Sequence, residues 1–403
     1  MDSVRRTIAE VDWAALEHAY GSAEDAPAYL LALLDGERDA GVAAVGYLDS
    51  ALLHQGSLYS ATAPFVAIMA ELLPHQHACQ VEDTRAGVRE PPTVLQTLLA
   101  YLAIFAEVCN FAITDEEVHD LAHPDEATAE QIRRVEVGPS QDEEFDWDAF
   151  DKALAHEWAL QAIACRAVVP GVITAIAPLL DDPHPPTRLA ALTATVHLMA
   201  HPACADDLVA LVDRLDTIAP TWSDPAERAT VARLSGIYGG RPELLLDDPD
   251  VGVRGCAALA PALSDDPRAT HELLTALQNP QSIDEWFETG LPGQRGWLRH
   301  DFICALLSRA HDAETVLPVA IALVQVANSD TVDQDCIPFV QLIFPDVDTR
   351  TELSDIQRAY LVALVAADDT EIWVSGLGSE LRRVGLPADR EDCRRLVEQW
   401  PSD

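Results

Sequence analysis

The clearest chemical signal in the sequence is a short segment that carries three residues of metal-ligating type. His75, His77 and Cys79 alternate with other residues near the end of an apolar stretch. Imidazole nitrogens and thiolates bind zinc, but a structural zinc site needs four ligands and usually draws them from two separated pairs. We therefore interpret the segment as a polar loop between helices and predict no metal site.

Catalytic motifs give no positive indication of an enzyme. The sequence contains no Gly-x-Ser-x-Gly turn, no phosphate-binding glycine loop, no Gly-x-Gly-x-x-Gly and no His-Glu-x-x-His. Catalytic residues can also converge from distant segments, so enzymatic activity stays open. We predict a protein that acts by binding and needs no cofactor.

Aromatic residues are the candidates for such binding. His54 and Tyr59 place polar and aromatic groups inside an otherwise apolar stretch, where they form either a recognition patch or a helix end. Trp222, Trp286 and Trp297 lie in the less regular half of the chain. Exposed tryptophans are frequent hot spots of interfaces, although the same residues also fill gaps between irregular helices. A small-molecule pocket lined by Trp286, Trp297, His300 and Asp301 is the alternative that we retain.

A strongly acidic segment covers residues 115–151. It holds fourteen Asp or Glu residues against Arg133 and Arg134. Thr114 with Glu117 has the spacing of a capping box, which predicts a short helix at the start. The remainder lacks apolar periodicity and predicts a long acidic loop. Asp142, Glu143 and Glu144 are the candidate contacts of this loop to a basic partner.

The net charge of the whole chain also favours a basic partner. The chain has 26 Lys and Arg against 67 Asp and Glu, a formal net charge of -41, and Lys152 is its one lysine. Such a surface repels phosphate backbones, so we predict no nucleic-acid partner and disfavour a DNA-repair enzyme. A GC-rich genome or a salt-rich cytoplasm is the competing explanation of the acidity. The sequence contains no signal peptide and no apolar run of about twenty residues, and its cysteines are scattered. We therefore predict a cytoplasmic protein that does not enter a membrane.

Hydrophobic residues make up 49% of the chain and aromatic residues 6%, and alanine and leucine dominate. This composition favours an all-α fold. An internal repeat supports it: DDPHPPTRLAALTA from Asp181 matches DDPDVGVRGCAALA from Asp247, and a partial copy begins at Asp224. Asp at a helix start and Pro in its first turn explain the motif. We expect Arg188 and Arg254, which share one repeat position, to pair with Asp residues and tie neighbouring hairpins together.

A helix, a break at His201-Pro202 and a second helix follow the first copy of the motif. The apolar residues Leu189, Leu192, Val196 and Met199 share one face of the first helix. Stacked hairpins of about forty residues form a solenoid, and roughly eight to ten would fit the length. Near the N-terminus, Gly21 is predicted to end a helix and Asp25 to begin the next.

The DDPxxxxR motif with its alanine-rich helix resembles the HEAT-like repeats of the phycobilisome-lyase type. The segments WAALEHAYGSAEDAPAYLLALL and HQGSLYSATAPFVAIMAELL also resemble the N-terminal region of a group of bacterial HEAT-repeat proteins. The resemblance implies a right-handed α-solenoid with an acidic loop insertion. We divide it into N-terminal repeats at 1–113, the insertion at 114–150 and further repeats at 151–403.

Three functions are compatible with this fold. We favour a protein-binding module with a basic partner, such as an immunity or antagonist protein that masks a basic toxin, or a more general scaffold. The alternative is a lyase-like enzyme that handles a small molecule or chromophore. A DNA-acting enzyme on the same fold is disfavoured by the charge.

Overall fold

The structure is a computed structural model, and it describes residues 2–37, 39–75, 82, 92–110, 114–137, 146–287, 290–292, 294, 296–310, 312–345, 353–374 and 376–399. In these residues the chain is helical apart from one two-stranded sheet and one isolated bridge, which confirms the all-α prediction. The chain forms two compact units, Met1–Leu211 and Val212–Asp403.

The first unit contains nine α-helices and the small sheet among its described residues, and a tenth helix extends from it into the second unit. The helices are α1 (Asp2–Glu10), α2 (Ala26–Asp35), α3 (Ala40–Tyr47), α4 (Thr62–Leu72), α5 (Val94–Asn110), α6 (Asp115–Ala122), α7 (Glu126–Val137), α8 (Trp147–Ile176), α9 (Pro185–Met199) and α10 (Ala205–Ile218). The strands β1 (Glu17–His18) and β2 (Gly21–Ser22) pair antiparallel, and a π-helix covers Leu48–Leu52.

The second unit is built of shorter helices. Those found in its described residues are α11 (Pro225–Ile237), α12 (Val251–Ala258), α13 (Pro267–Leu277), α14 (Pro280–Glu285), α15 (Leu298–Leu307), α16 (Ala313–Val324), α17 (Val332–Asp335), α18 (Ile337–Ile343), α19 (Asp355–Ala366), α20 (Leu377–Arg383) and α21 (Arg390–Glu398).

Helix α8 organises the first unit. It packs against α4, α5, α6, α7 and α9. Ala159 and Ala162 of α8 and Ala191 and Ala194 of α9 are fully buried, and such small side chains let helices approach closely. Among the described residues, one helix is long and apolar enough to cross a membrane, and it covers Trp147–Asp181. The bent pair α5 and α6 would form a second span only if the two helices were taken together.

Three arginines at the repeat position make the same local contact. Nη1 of Arg188 donates to the carbonyl of Asp182 at 2.8 Å, and Nη1 of Arg254 donates to that of Asp248 at 2.9 Å. Nη1 of Arg228 donates to the Trp222 carbonyl at 2.8 Å. Each bond runs from a helix to a carbonyl six residues earlier in the chain. The arginines therefore tie each helix to its own leading turn. Two of them also pair with a carboxylate further along the chain, as we expected of this repeat position: Arg228 pairs with Asp248 at 2.7 Å, and Arg254 pairs with Glu272 at 3.2 Å.

The contact also corrects the alignment of the partial copy. Asp224 caps α11 by accepting from the amides of Ala226 and Glu227, just as Asp250 caps α12. Asp224 therefore corresponds to Asp250 and not to the aspartates of the Asp-Asp-Pro motif. The helix, break and helix predicted after the first copy are confirmed as α9, a turn at Pro202–Cys204 and α10.

The acidic segment is more helical than its sequence indicated. The capping box of Thr114 and Glu117 is present at the start of α6, as predicted. Residues Glu126–Val137 form α7, where we expected a loop. The helix forms without strong apolar periodicity because α7 packs on α8, and a tertiary contact of this kind overrides weak local preference. Residues 138–145 lie outside the described part of the chain.

Candidate functional site

The structure places the predicted binding residues in different parts of the chain. His54 and Tyr59 belong to the unit Met1–Leu211, and the three tryptophans belong to the unit Val212–Asp403. Asp142, Glu143 and Glu144 lie outside the described residues, as do His77 and Cys79 of the metal-type segment. In the part of the chain that is described, no group of three His, Cys, Asp or Glu side chains could hold a metal ion.

The three tryptophans have different surroundings. Trp286 packs edge-on against Phe302 at 5.6 Å between ring centroids, and a side chain at Gly255 would meet its ring. The carbonyl of Trp222 holds Arg228. Trp297 is 50% exposed and stacks over the guanidinium of Arg299 at 4.9 Å. A role in binding stays a prediction for all three, and Trp297 is the one with the largest exposed surface.

Two residues of the predicted pocket, His300 and Asp301, have separate partners. Helix α15 carries His300 and Asp301 as neighbours, but their side chains have different partners. His300 faces the buried Asp335 at 3.1 Å, whereas Asp301 accepts from Arg233 at 2.8 Å. Successive residues of a helix point in directions about 100° apart, which gives these two side chains different partners.

His54 contributes to a cluster of aromatic and histidine side chains near the N-terminus. The β1–β2 hairpin turns at Ala19 and Tyr20, and its ladder places His18 opposite Gly21. Tyr20 is 69% exposed, and its ring lies 5.7 Å from that of His54 and 6.1 Å from that of His18. The aromatic partner of His54 is therefore Tyr20, from a hairpin that the sequence did not suggest.

Hydrogen bonds fix the proton positions in this cluster. Nδ1 of His18 accepts from the Tyr20 amide at 3.0 Å, so in the neutral ring the proton is on Nε2. Nε2 faces the Asp25 carboxylate at 3.3 Å, and the Tyr47 hydroxyl donates to the same carboxylate at 2.9 Å. Burial and the neighbouring Asp25 raise the pKa of Tyr47 well above its usual range. Asp25 is thus a shared acceptor that holds the hairpin to α3.

The structure corrects one sequence-based interpretation here, and it confirms that α2 begins at Asp25. Gly21 is not a helix C-cap: it lies in β2 with φ of 113°, a conformation that favours glycine. Asp25 stands at the N-cap position of α2 but makes no side-chain capping bond. His18, Asp25 and Tyr47 are the residues from which this network could have been predicted. Their spacing indicates a network only once the hairpin is known, and that hairpin has just four strand residues.

The backbone beside His54 is unusual. Gln55 has φ of 53°, a left-handed conformation that a residue other than glycine adopts at some cost. Among the described residues it is the one non-glycine position with positive φ. Tyr59 is held by a bond from its amide to the Thr62 hydroxyl at 3.0 Å, which donates in turn to the Leu52 carbonyl. The segment behaves as a fixed helix entry that presents His54 beside Tyr20.

A strongly acidic surface of the first unit lies on α6 and α7, and we call it the acidic face. Residues 115–137 hold eight acidic residues and two arginines. Glu116, Asp120 and Glu126 are exposed, and Glu130 pairs with Arg133 and Arg134.

The buried Arg166 of α8 anchors the acidic face. Its side chain is 5% exposed, and its Nε donates to the Cys109 carbonyl at 2.9 Å. Its Nη1 donates to Asp115 at 2.8 Å, at the first residue of α6. Hydrogen bonds from the amide and the hydroxyl of Thr114 hold the pKa of Glu117 below its usual value. Asp115 and Glu117 are therefore held in place at the start of α6.

Comparison with known proteins gave no relative of this chain. No family model matches it, and neither the curated proteins nor the solved structures contain a match.

Proposed function

We propose that the chain is a non-catalytic binding protein with HEAT-like helical repeats, and that its acidic face binds a basic protein. The observation that carries the proposal is the anchoring of α6 by the buried Arg166 through Asp115. A rigid acidic surface binds with a smaller entropy cost than a disordered acidic loop, because its side chains are already positioned.

The distribution of arginine supports a basic partner. Many arginines of the described residues are engaged by internal carboxylates, among them Arg228 with Asp248, Arg233 with Asp301 and Arg299 with Asp335. Since basic residues are so few, most of the 67 acidic residues have no arginine to neutralise them. Their field attracts positively charged proteins and accelerates association at low salt.

The repeat assignment rests on the arginine contact that recurs at Arg188, Arg228 and Arg254. One local structure at three places is what an array of related helical units predicts. A cytoplasmic location is part of the same proposal, because each of the seven described cysteines is a free thiol, as in reducing compartments.

Masking of a toxin is the finer form of the proposal. An immunity or antagonist protein must cover a basic surface tightly, and a general scaffold would use the same acidic face with lower affinity. The strength of the complex distinguishes the two, since electrostatic steering combined with a packed interface gives the tighter binding.

Affinity capture with charge variants tests the proposal. The protein with Glu116→Gln, Asp120→Asn and Glu126→Gln is compared with the wild type as bait in native lysate. We expect the wild type to retain a basic protein in stoichiometric amount, and the variant to lose most of it at low salt. Raising the salt from about 50 to 500 mM shortens the Debye length about threefold and should release the partner from the wild type.

A matched control changes the same charge elsewhere. Glu314→Gln, Asp330→Asn and Asp368→Asn neutralise three exposed acids of the second unit. This variant should capture the partner like the wild type. If both variants lose the partner equally, the net charge acts and the acidic face has no special role. Retention by the acidic-face variant, with an unchanged dependence on salt, contradicts the proposal.

A further inference from the structure

A groove in the second unit is lined by two arginines and one aspartate, in a chain where acidic residues outnumber basic ones. It lies between the end of α11, the turn after α12 and one side of α15, and its volume is about 620 Å³. Pockets that bind small molecules usually measure about 300–1,000 Å³. We call it the arginine groove, because Arg233 and Arg309 both line it.

Close packing builds the floor of the arginine groove. Gly236 of α11 lies so near the turn after α12 that a Cβ atom would stand 2.9 Å from Cα of Ala260. The carbonyl of Ala260 accepts a hydrogen bond from Nη2 of Arg309 at 3.0 Å. This hydrogen bond to the main chain of the turn after α12 holds the Arg309 side chain in place.

The charges of the groove do not balance. Arg233 donates to Asp301 at 2.8 Å, and these two groups neutralise each other. Arg309 has no such carboxylate: its Nε and Nη1 are buried and have no acceptor among the described residues. Burial lowers the pKa of Arg309, because the desolvated guanidinium loses hydration. The guanidinium nevertheless stays charged at neutral pH, since arginine does not deprotonate in proteins.

An unpaired guanidinium is unexpected in this chain. With 67 acidic residues available, a carboxylate at this position would be easy to supply. A buried N–H group without an acceptor destabilises the fold, and the cost is larger when the group is charged. The carbonyl of Ala260 is bound by Nη2, so this contact does not account for Nε and Nη1. The arrangement is explained if an acceptor from outside the chain completes it.

The remaining walls of the arginine groove are mostly apolar. Ile237 is 57% exposed, and Leu259, Pro261 and Ala305 line the same groove. The Ser264 and Ser308 side chains add hydroxyl groups. One positive charge beside an apolar surface suits an amphipathic anion of small size.

We propose that the arginine groove binds a small organic acid whose carboxylate pairs with Arg309 and whose short apolar body lies along Ile237 and Leu259. Nε and Nη1 are buried, so binding requires the Arg309 side chain to turn and expose its guanidinium to the carboxylate. The carboxylate then gives nitrogens that lack an acceptor a charge-assisted pair. The site is independent of the acidic face and of the protein partner proposed for it.

Cys304 provides a built-in reporter for this site. It lines the arginine groove and is exposed, whereas five of the other described cysteines are buried. Alkylation of Cys304 by N-ethylmaleimide is followed by mass spectrometry of its peptide, with hexanoate or the neutral hexanamide as probe. We expect hexanoate to slow the alkylation in a saturable manner, and hexanamide to have little effect.

The variant Arg309→Gln tests the residue itself. Loss of a charged hydrogen-bond partner should weaken hexanoate about tenfold or more. Arg214→Gln removes the same charge from an exposed position of α10 and should leave the protection unchanged. Equal protection by acid and amide, or no protection by hexanoate up to about 50 mM, overturns the proposal. The comparison of the two probes needs only the wild type, so it holds even if Arg309→Gln fails to fold.

Discussion

The acidic face and the interior of the second unit use charge in opposite ways. On α6 and α7 the carboxylates are exposed, and the pairs of Glu130 with Arg133 and Arg134 are exposed as well. In the second unit Arg299 and Asp335 are 5% and 0% exposed, and Asp284 completes their cluster at 8%. Charges of the first kind are available to a partner, and charges of the second kind hold helices together.

The energetics of the two kinds differ accordingly. An exposed ion pair contributes about 0–1 kcal/mol, because water and salt screen it. A buried pair contributes little compared with a well-packed apolar pair, but removing one partner leaves an uncompensated charge and costs about 3–5 kcal/mol. Substitutions therefore separate a surface that serves binding from a cluster that serves folding.

The largest expected effect comes from the buried cluster. Asp335→Ala leaves the guanidinium of Arg299 with Asp284 as its remaining carboxylate and should lower the free energy of unfolding by about 3–5 kcal/mol. Urea unfolding followed by circular dichroism measures the loss. Asp330→Ala removes a nearby exposed carboxylate and should change stability little. Similar curves for the two variants would show that the buried cluster is not structural.

The next effect concerns pH. Burial alone would raise the pKa of Asp335, but hydrogen bonds from His300, Arg299 and Thr331 hold it below its usual value. A folded-state pKa below the unfolded value of about 4 stabilises the fold above that value. The contribution is lost as the pH falls through the folded-state pKa.

Comparison with Asp335→Asn isolates this contribution, since asparagine cannot ionise. We expect the stability advantage of the wild type to be constant near neutral pH and to shrink below about pH 4. Urea unfolding at a series of pH values measures it. An advantage that grows as the pH falls would mean that the folded-state pKa of Asp335 is raised.

The smallest expected effect compares two capping boxes. Thr114 with Glu117 begins α6, and Ser354 with Gln357 begins α19. Thr114→Ala and Ser354→Ala should each lower the free energy of unfolding by about 1 kcal/mol. Thr114→Ala should in addition weaken binding of the basic partner, because it loosens the acidic face. An equal loss of binding in Ser354→Ala would show that the weaker binding does not come from loosening α6.

The helix starts were predictable from sequence because they are local. Thr114 and Asp224 cap helices through amides two or three residues away, and the residue types alone indicate this. The aspartates of the Asp-Asp-Pro motif are not the caps that we predicted, because Asp250 caps α12 and α9 begins after His184 without a side-chain cap. The repeat at Asp181 and Asp247 likewise marked α9 and α12. Helix α7 was missed because its stability comes from packing on α8, which no local pattern reports.

The candidate sites were less predictable because their partners are far apart in sequence. Asp335 meets Arg299 across 36 residues, and Arg309 meets the Ala260 carbonyl across 49. The tyrosine beside His54 comes from a hairpin more than thirty positions earlier, at Tyr20. The sequence of one chain indicates the residue types, and only the fold determines which of them lie side by side.

Hydrogen–deuterium exchange with the captured partner tests the central proposal most directly. If the acidic face is the binding surface, amides in 115–137 should exchange more slowly in the complex than in the protein alone, because bound α6 and α7 open less often. The variant with Glu116→Gln, Asp120→Asn and Glu126→Gln should show no such protection under the same conditions. Protection confined to Val212–Asp403, with unchanged exchange in 115–137, would contradict the account.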